Sequence, residues 1–207
     1  DHEFLYLTAC LIGFYQQLRL YRERKTEFSL YNIEKPLWVF VGSSVSKAVD
    51  KKKTGETVVD ETASDIVRVL GFFARFLAGP QKALAAIDTL LSKDGTATGL
   101  LDSAGHDIFH GAFLFLRQCL AKGEKAVDLH TDILGTLFNN RAGGHLRLLR
   151  LKGDSGELVL KAGNGDQHFG LSNVGDALGL AKHVEEECSK GNCPPIVVDD
   201  SEFQAAQ

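Results

Sequence analysis

Between Asn139 and Gly144 the apolar residues change their spacing, and this switch constrains the fold more than any other feature of the chain. Upstream, apolar side chains return every three or four residues, the repeat of one helical face. Downstream they fall into short runs broken by turn residues, the habit of β-strands. The chain therefore combines helices and strands, and its expected class lies between α/β and α+β. A length of 207 residues, 44% of them apolar, is enough for one or two domains with real cores.

The upstream half begins with a strong helix. Phe4, Leu7, Leu11, Phe14, Leu18 and Tyr21 mark one face, widened by Leu5, Ile12 and Tyr15, so a core helix is expected over residues 3–24. Its basic tail of Arg19, Arg22, Arg24 and Lys25 suits the negative end of the helix dipole. A linker over residues 26–35 leads to Pro36 and the run Leu37-Trp38-Val39-Phe40-Val41, closed by Gly42-Ser43-Ser44. Five consecutive apolar residues between Pro and Gly predict a strand buried on both faces. Ligands of open parallel sheets sit at the carboxyl ends of strands, which makes Gly42, Ser43 and Ser44 the first candidate site. Lys47, Lys51, Lys52 and Lys53 follow in a polar connection, either a solvated loop or a set of phosphate contacts. A helix is then expected from near Thr62, capped towards Asp65 and ended by Gly79-Pro80, with further helices over residues 83–91, 106–121 and 124–138.

The downstream half predicts strands over 145–152 and 157–162 around the turn Gly153-Asp154-Ser155-Gly156, and a third over 167–172. A helix over 176–187 packs on that small antiparallel sheet, and Pro194-Pro195 breaks the chain before Ile196-Val197-Val198. The expected organisation is a helix plus one strand over 1–44, a helical insert over 45–140, an α+β unit over 141–193 and a return segment over 194–207. No apolar run approaches the roughly 20 residues of a membrane helix. The formal net charge of -4 argues against a nucleic-acid-coating protein. The scattered cysteines, Cys10, Cys119, Cys188 and Cys193, fit reduced thiols and a cytoplasmic setting. The absence of Met and a start inside a helix lead us to expect a piece of a longer polypeptide.

No complete active site is visible. Val58-Val59-Asp60-Glu61-Thr62 has the form of a magnesium-holding strand end, but no G-x-x-x-x-G-K-[ST] loop accompanies it, and an acidic helix start explains it better. His106 and His110 stand four apart with Asp107 where a metalloprotease needs Glu, so surface histidines are the better reading. His183, Cys188 and Cys193 give three ligands of a zinc site and lack a fourth. Gly163-Asn164-Gly165 with Gly170 departs from the dinucleotide fingerprint and is expected to be a turn between strands. Ser43 and Ser44 lack the G-x-S-x-G setting of a nucleophile. The expectation is no catalytic residue and no metal ligand.

Three segments together carry a resemblance. Glu34-Lys35-Pro36-Leu37-Trp38-Val39-Phe40-Val41-Gly42, the stretch from Asp65 to Leu77, and Phe169-Gly170-Leu171-Ser172-Asn173-Val174-Gly175-Asp176 resemble, in that order, proteins of the DEAD/DEAH-box helicase family of the type III restriction-enzyme Res subunit kind. The resemblance implies part of a superfamily 2 motor, with residues 37–41 as the first strand of its second RecA-like lobe and residues 45–192 as an insertion. It implies ATP and magnesium for the parent protein but none held by this chain, whose ATPase motifs are missing. It implies DNA as the parent's partner, with Gly42, Ser43, Ser44 and Lys47 as backbone contacts. The alternative is a non-enzymatic protein-interaction module, with a partner or a second copy docking on the apolar face of the helix over 3–24.

Overall fold

A computed structural model of the chain describes residues 1–40, 61–91, 97–151, 157–173, 177–191 and 194–203. It divides into a helical unit, Asp1–Val39 with Gln81–Thr136, and a sheet unit, Phe40–Pro80 with Leu137–Gln207. This division differs from the linear one expected above. The helix over 61–78 belongs with the sheet rather than with the other helices.

The helical unit is built on α1 (His2–Glu23), followed by α2 (Lys25–Ser29), α4 (Pro80–Leu91), α5 (Leu114–Ala121) and α6 (Ala126–Leu137). The Asp1 carboxylate caps α1 by accepting from the Phe4 N–H at 3.2 Å, satisfying one orphan donor of the first turn. Lys82 Nζ lies 2.9 Å from the same carboxylate and 4.8 Å from the Phe4 ring centroid. Pro80 opens α4, where its missing N–H removes no helical bond. The periodicity of α1 is realised as burial: Phe4, Leu11, Ile12, Tyr15 and Leu18 all lie in the core. Leu7, Phe14 and Tyr21 of the expected face are half-buried. The expected helix over 106–121 is shortened to α5. Residues 102–112 instead form turns organised by two carboxylates, which bind backbone N–H groups and so compete with helix.

The sheet unit holds α3 (Glu61–Ala78), β1 (Leu146–Leu151), β2 (Glu157–Ala162), β3 (His168–Asn173), α7 (Ala177–Ser189) and β4 (Val197–Phe203). The sheet order is β3-β2-β1-β4. The hairpin β1-β2 and the pair β2-β3 are antiparallel, whereas β4 runs parallel to β1. The sheet is therefore mixed rather than antiparallel throughout, since the crossover through α7 returns the chain in the direction of β1. Leu158 packs with Ile66 of α3 and Leu180 of α7, which places both helices on its face of the sheet. Val159 and Leu149 on the opposite face are buried as well. At one end Phe73, Phe138 and Phe169 form a mutual aromatic cluster with centroids 4.9–5.8 Å apart, all three pairs edge to face. Helices and a four-stranded mixed sheet make the chain α+β.

The largest departure from expectation is the run at residues 37–41. No strand forms over residues 37–40, and Leu37 is 82% exposed. A strand is buried only where neighbours pair with it, and the described residues around this run in the helical unit supply helices instead.

Candidate functional site

Gly42, Ser43, Ser44 and Lys47 lie outside the described residues, as do Lys51 to Lys53 and Asp60. Glu61 is the first residue of α3, in keeping with an acidic helix start. His106 and His110 sit in turns rather than one helical turn apart, so they share no helix face. The His106 ring pairs locally with Asp102 at 3.4 Å. Cys188 is held in a disulfide, which corrects the expectation of a reduced thiol there and removes it as a metal ligand; Cys10 and Cys119 are free. No cluster of metal-ligating side chains occurs among the described residues.

The glycine-rich segments do meet. Asn140, Ala142, Gly143, Gly144, His145, Gly163, Asn164 and Gly165 line an open cavity of about 410 Å³ in the sheet unit. The glycines are imposed by close approach. A Cβ on Gly163 would stand 2.4 Å from the Gly143 carbonyl oxygen, and one on Gly144 would stand 2.9 Å from the Gly163 Cα. The Asn140 amide ties the crossing by donating to the Gly143 and Ala162 carbonyls at 3.1 and 2.7 Å. An anion cradle needs free backbone donors, and these are spent. The N–H groups of Gly143, Gly144, Gly163 and Gly165 donate to Asn140, Leu77, His145 and Ala162 carbonyls at 2.8–3.2 Å. The Leu77 bond also satisfies a carbonyl in the last turn of α3. The cavity is thus a clasp joining helix, loop and hairpin, and the expected turn between strands is what Gly163 provides.

A second cluster holds the strongest pKa perturbations of the helical unit. The Tyr15 hydroxyl donates to Asp132 Oδ2 at 2.5 Å, and Arg22 reaches the same oxygen at 2.9 Å. Arg19 grips Glu124 through both carboxylate oxygens at 2.8 and 3.0 Å. Burial, then the hydrogen bond to Asp132, pushes the Tyr15 phenol well above its usual range. Partial burial acts to raise the Asp132 carboxyl, but bonds from Tyr15 and Arg22 outweigh it and hold the group below 3.8. Tyr15 is 0% exposed, so no substrate reaches the phenol and the network fastens α1 to α6.

No family model, curated protein or solved structure matches the chain. The site is therefore read from its own geometry.

The feature that remains is an apolar strap leaving α2. Asn32, at φ 53°, ends the helix in a Schellman arrangement: its N–H donates to Ser29 O at 3.2 Å, and the Ile33 N–H donates to Phe28 O at 3.4 Å. Beyond it the chain carries no helix or strand through residues 33–40. Trp38 turns inward, its ring 5.4 Å from that of Phe14. Leu37 and Val39 on either side are 82% and 62% exposed. Leu30, Tyr31 and Ile33 add three more exposed large apolar side chains. Among the described residues, no hydrogen bond engages Leu37 or Val39. Sequence reasoning found this run but assigned it to the interior, because an apolar run reads the same whether its partner is in the chain or outside it.

Proposed function

We propose that the chain is a non-enzymatic binding module whose apolar strap takes up an extended segment of a protein partner by strand addition. The observation that carries this is the alternation at residues 37–39: Trp38 anchored on Phe14, Leu37 and Val39 exposed beside it, and main-chain groups at both without hydrogen bonds among the described residues. An extended partner supplies the missing bonds, and its pockets cover alternate side chains. Anchoring at Asn32 and Trp38 fixes the strap beforehand and lowers the ordering cost on association. Placing a photo-crosslinking amino acid at Val39 in the parent cell tests the reading. One discrete adduct is expected, lost when Leu37→Lys is added; no adduct, or one indifferent to that substitution, sinks it.

The resemblance supports a further proposal, that the chain is an internal part of an ATP-dependent helicase or translocase touching DNA through Gly42, Ser43, Ser44 and Lys47. The exposure of Leu37 weighs against it, because the first strand of a RecA-like lobe is buried. Binding of labelled single- and double-stranded DNA across a salt series separates the two. Salt-sensitive binding that loses slope in Lys47→Ala supports the motor fragment, and no retention leaves the partner-docking module.

A further inference from the structure

The open edge of the sheet carries an inference independent of the strap. β3 (His168–Asn173) is the last strand in the order β3-β2-β1-β4, and no further strand flanks it among the described residues. Exposed edges are normally guarded by Lys, Glu or Pro. His168, Phe169, Gly170, Leu171, Ser172 and Asn173 include none of these. The one irregularity lies at the start of the strand, between the pairs Leu160↔Gly170 and Lys161↔His168, so residues 170–173 run in regular register. The Asn139 side chain covers that same start by donating to His168 O at 2.7 Å.

A cross-strand row then stops short. Leu149 faces Val159, and Val159 faces Leu171, so the three share one face of the sheet. Leu149 and Val159 are 5% and 0% exposed, but Leu171 at the edge is 61% exposed. The row lacks only its next member. We infer that this member is Leu171 of a second copy, with β3 pairing antiparallel to β3 about a two-fold axis centred on Leu171.

Three observations favour a second copy. Antiparallel pairing of identical strands is self-complementary and closes at two, which gives a finite dimer. β3 holds no Lys, Arg, Asp or Glu, so two copies of a chain with net charge -4 meet along a strip free of these charges. The apolar row extends unbroken from one sheet into the other, burying both exposed leucines against one another.

Sedimentation or light scattering of the full chain over a wide concentration series tests the inference. The wild-type mass is expected to rise from 22.6 kDa towards twice that value, while Leu171→Lys stays at one chain mass. Because Leu171 is exposed in the single chain, this variant is expected to keep the wild-type melting temperature at dilutions where the wild type is monomeric. A second variant serves if it does not fold. In Leu171→Cys the paired Cα atoms fall about 4.5–5.5 Å apart, within disulfide range, so mild oxidation yields a covalent dimer. Leu114→Cys, equally exposed on α5, is expected to yield none beyond the wild-type background. A wild-type chain that remains monomeric throughout, a Leu171→Lys variant that dimerises like wild type, or equal cross-linking of the two cysteine variants overturns the inference. Strap variants such as Leu37→Lys are expected to leave the dimer intact, so its failure is distinct from that of the strap.

Discussion

Two apolar runs of almost the same composition take opposite fates in this chain. Leu158-Val159-Leu160 becomes the inner part of β2, buried on both faces between β1 and β3. Leu37-Trp38-Val39-Phe40 becomes no strand at all and shows three of its side chains, Leu37, Val39 and Phe40, to solvent. Propensity does not separate them, since both are rich in residues that strands favour. Neighbours do. β2 lies between two partners supplied from the neighbouring residues on either side, whereas the strap follows one helix and pairs with no strand among the described residues. A strand is a property of a pairing, and an apolar run that pairs with no strand among the described residues stays irregular.

The sharpest way to break this comparison is to place the same charge in both runs. Val159→Asp puts an unpaired carboxylate in the interior and is expected to cost about 3–5 kcal/mol, enough to abolish a cooperative unfolding transition of the sheet unit. Val39→Asp is expected to change stability by no more than about 0.5 kcal/mol. Urea unfolding followed by circular dichroism gives both values, and comparable losses would mean that the strap is core. A smaller effect is expected where β2 ends. Gly163→Ala meets the Gly143 carbonyl at 2.4 Å and holds a φ of +52°, so a loss of about 2–3 kcal/mol is expected by the same assay. Gly123→Ala, with a φ of +104° and open space around it, separates strain from collision by costing less.

Polar burial in the helical unit extends the contrast, because there Tyr15 and Arg22 both bond to Asp132. Tyr15→Phe removes the donor to Asp132 and is expected to lower stability by about 1–2 kcal/mol in thermal unfolding. An unchanged midpoint would show that Arg22 alone satisfies the carboxylate. The smallest effect is a pH slope. Burial pushes the His130 imidazole below 6.5 in the folded chain. The unfolded state therefore takes up its proton first as pH falls, so stability is intact above 6.5 and declines below it towards the folded value. One such group gives at most about 1.4 kcal/mol per pH unit. His130→Gln is expected to flatten the curve between neutral and mildly acid pH. A slope that survives the substitution would assign it to another group.

Where local pattern decides, the residues were sufficient. The 3.6-residue repeat of Phe4, Leu11, Tyr15 and Leu18 marks α1, Gly79-Pro80 separates α3 from α4, and the three runs after Gly144 become β1, β2 and β3. These elements follow from side-chain periodicity and from backbone limits at Gly and Pro, which act over a few residues. Tertiary contacts decided the remainder. They set α3 against the sheet instead of among the helices, brought β4 parallel to β1, and spent the glycine N–H groups on a clasp rather than on a ligand. They also left Leu37, Val39 and the edge at Leu171 exposed. A sequence states how apolar each residue is, but burial depends on which distant segment arrives to cover it, and that is fixed only when the chain has folded.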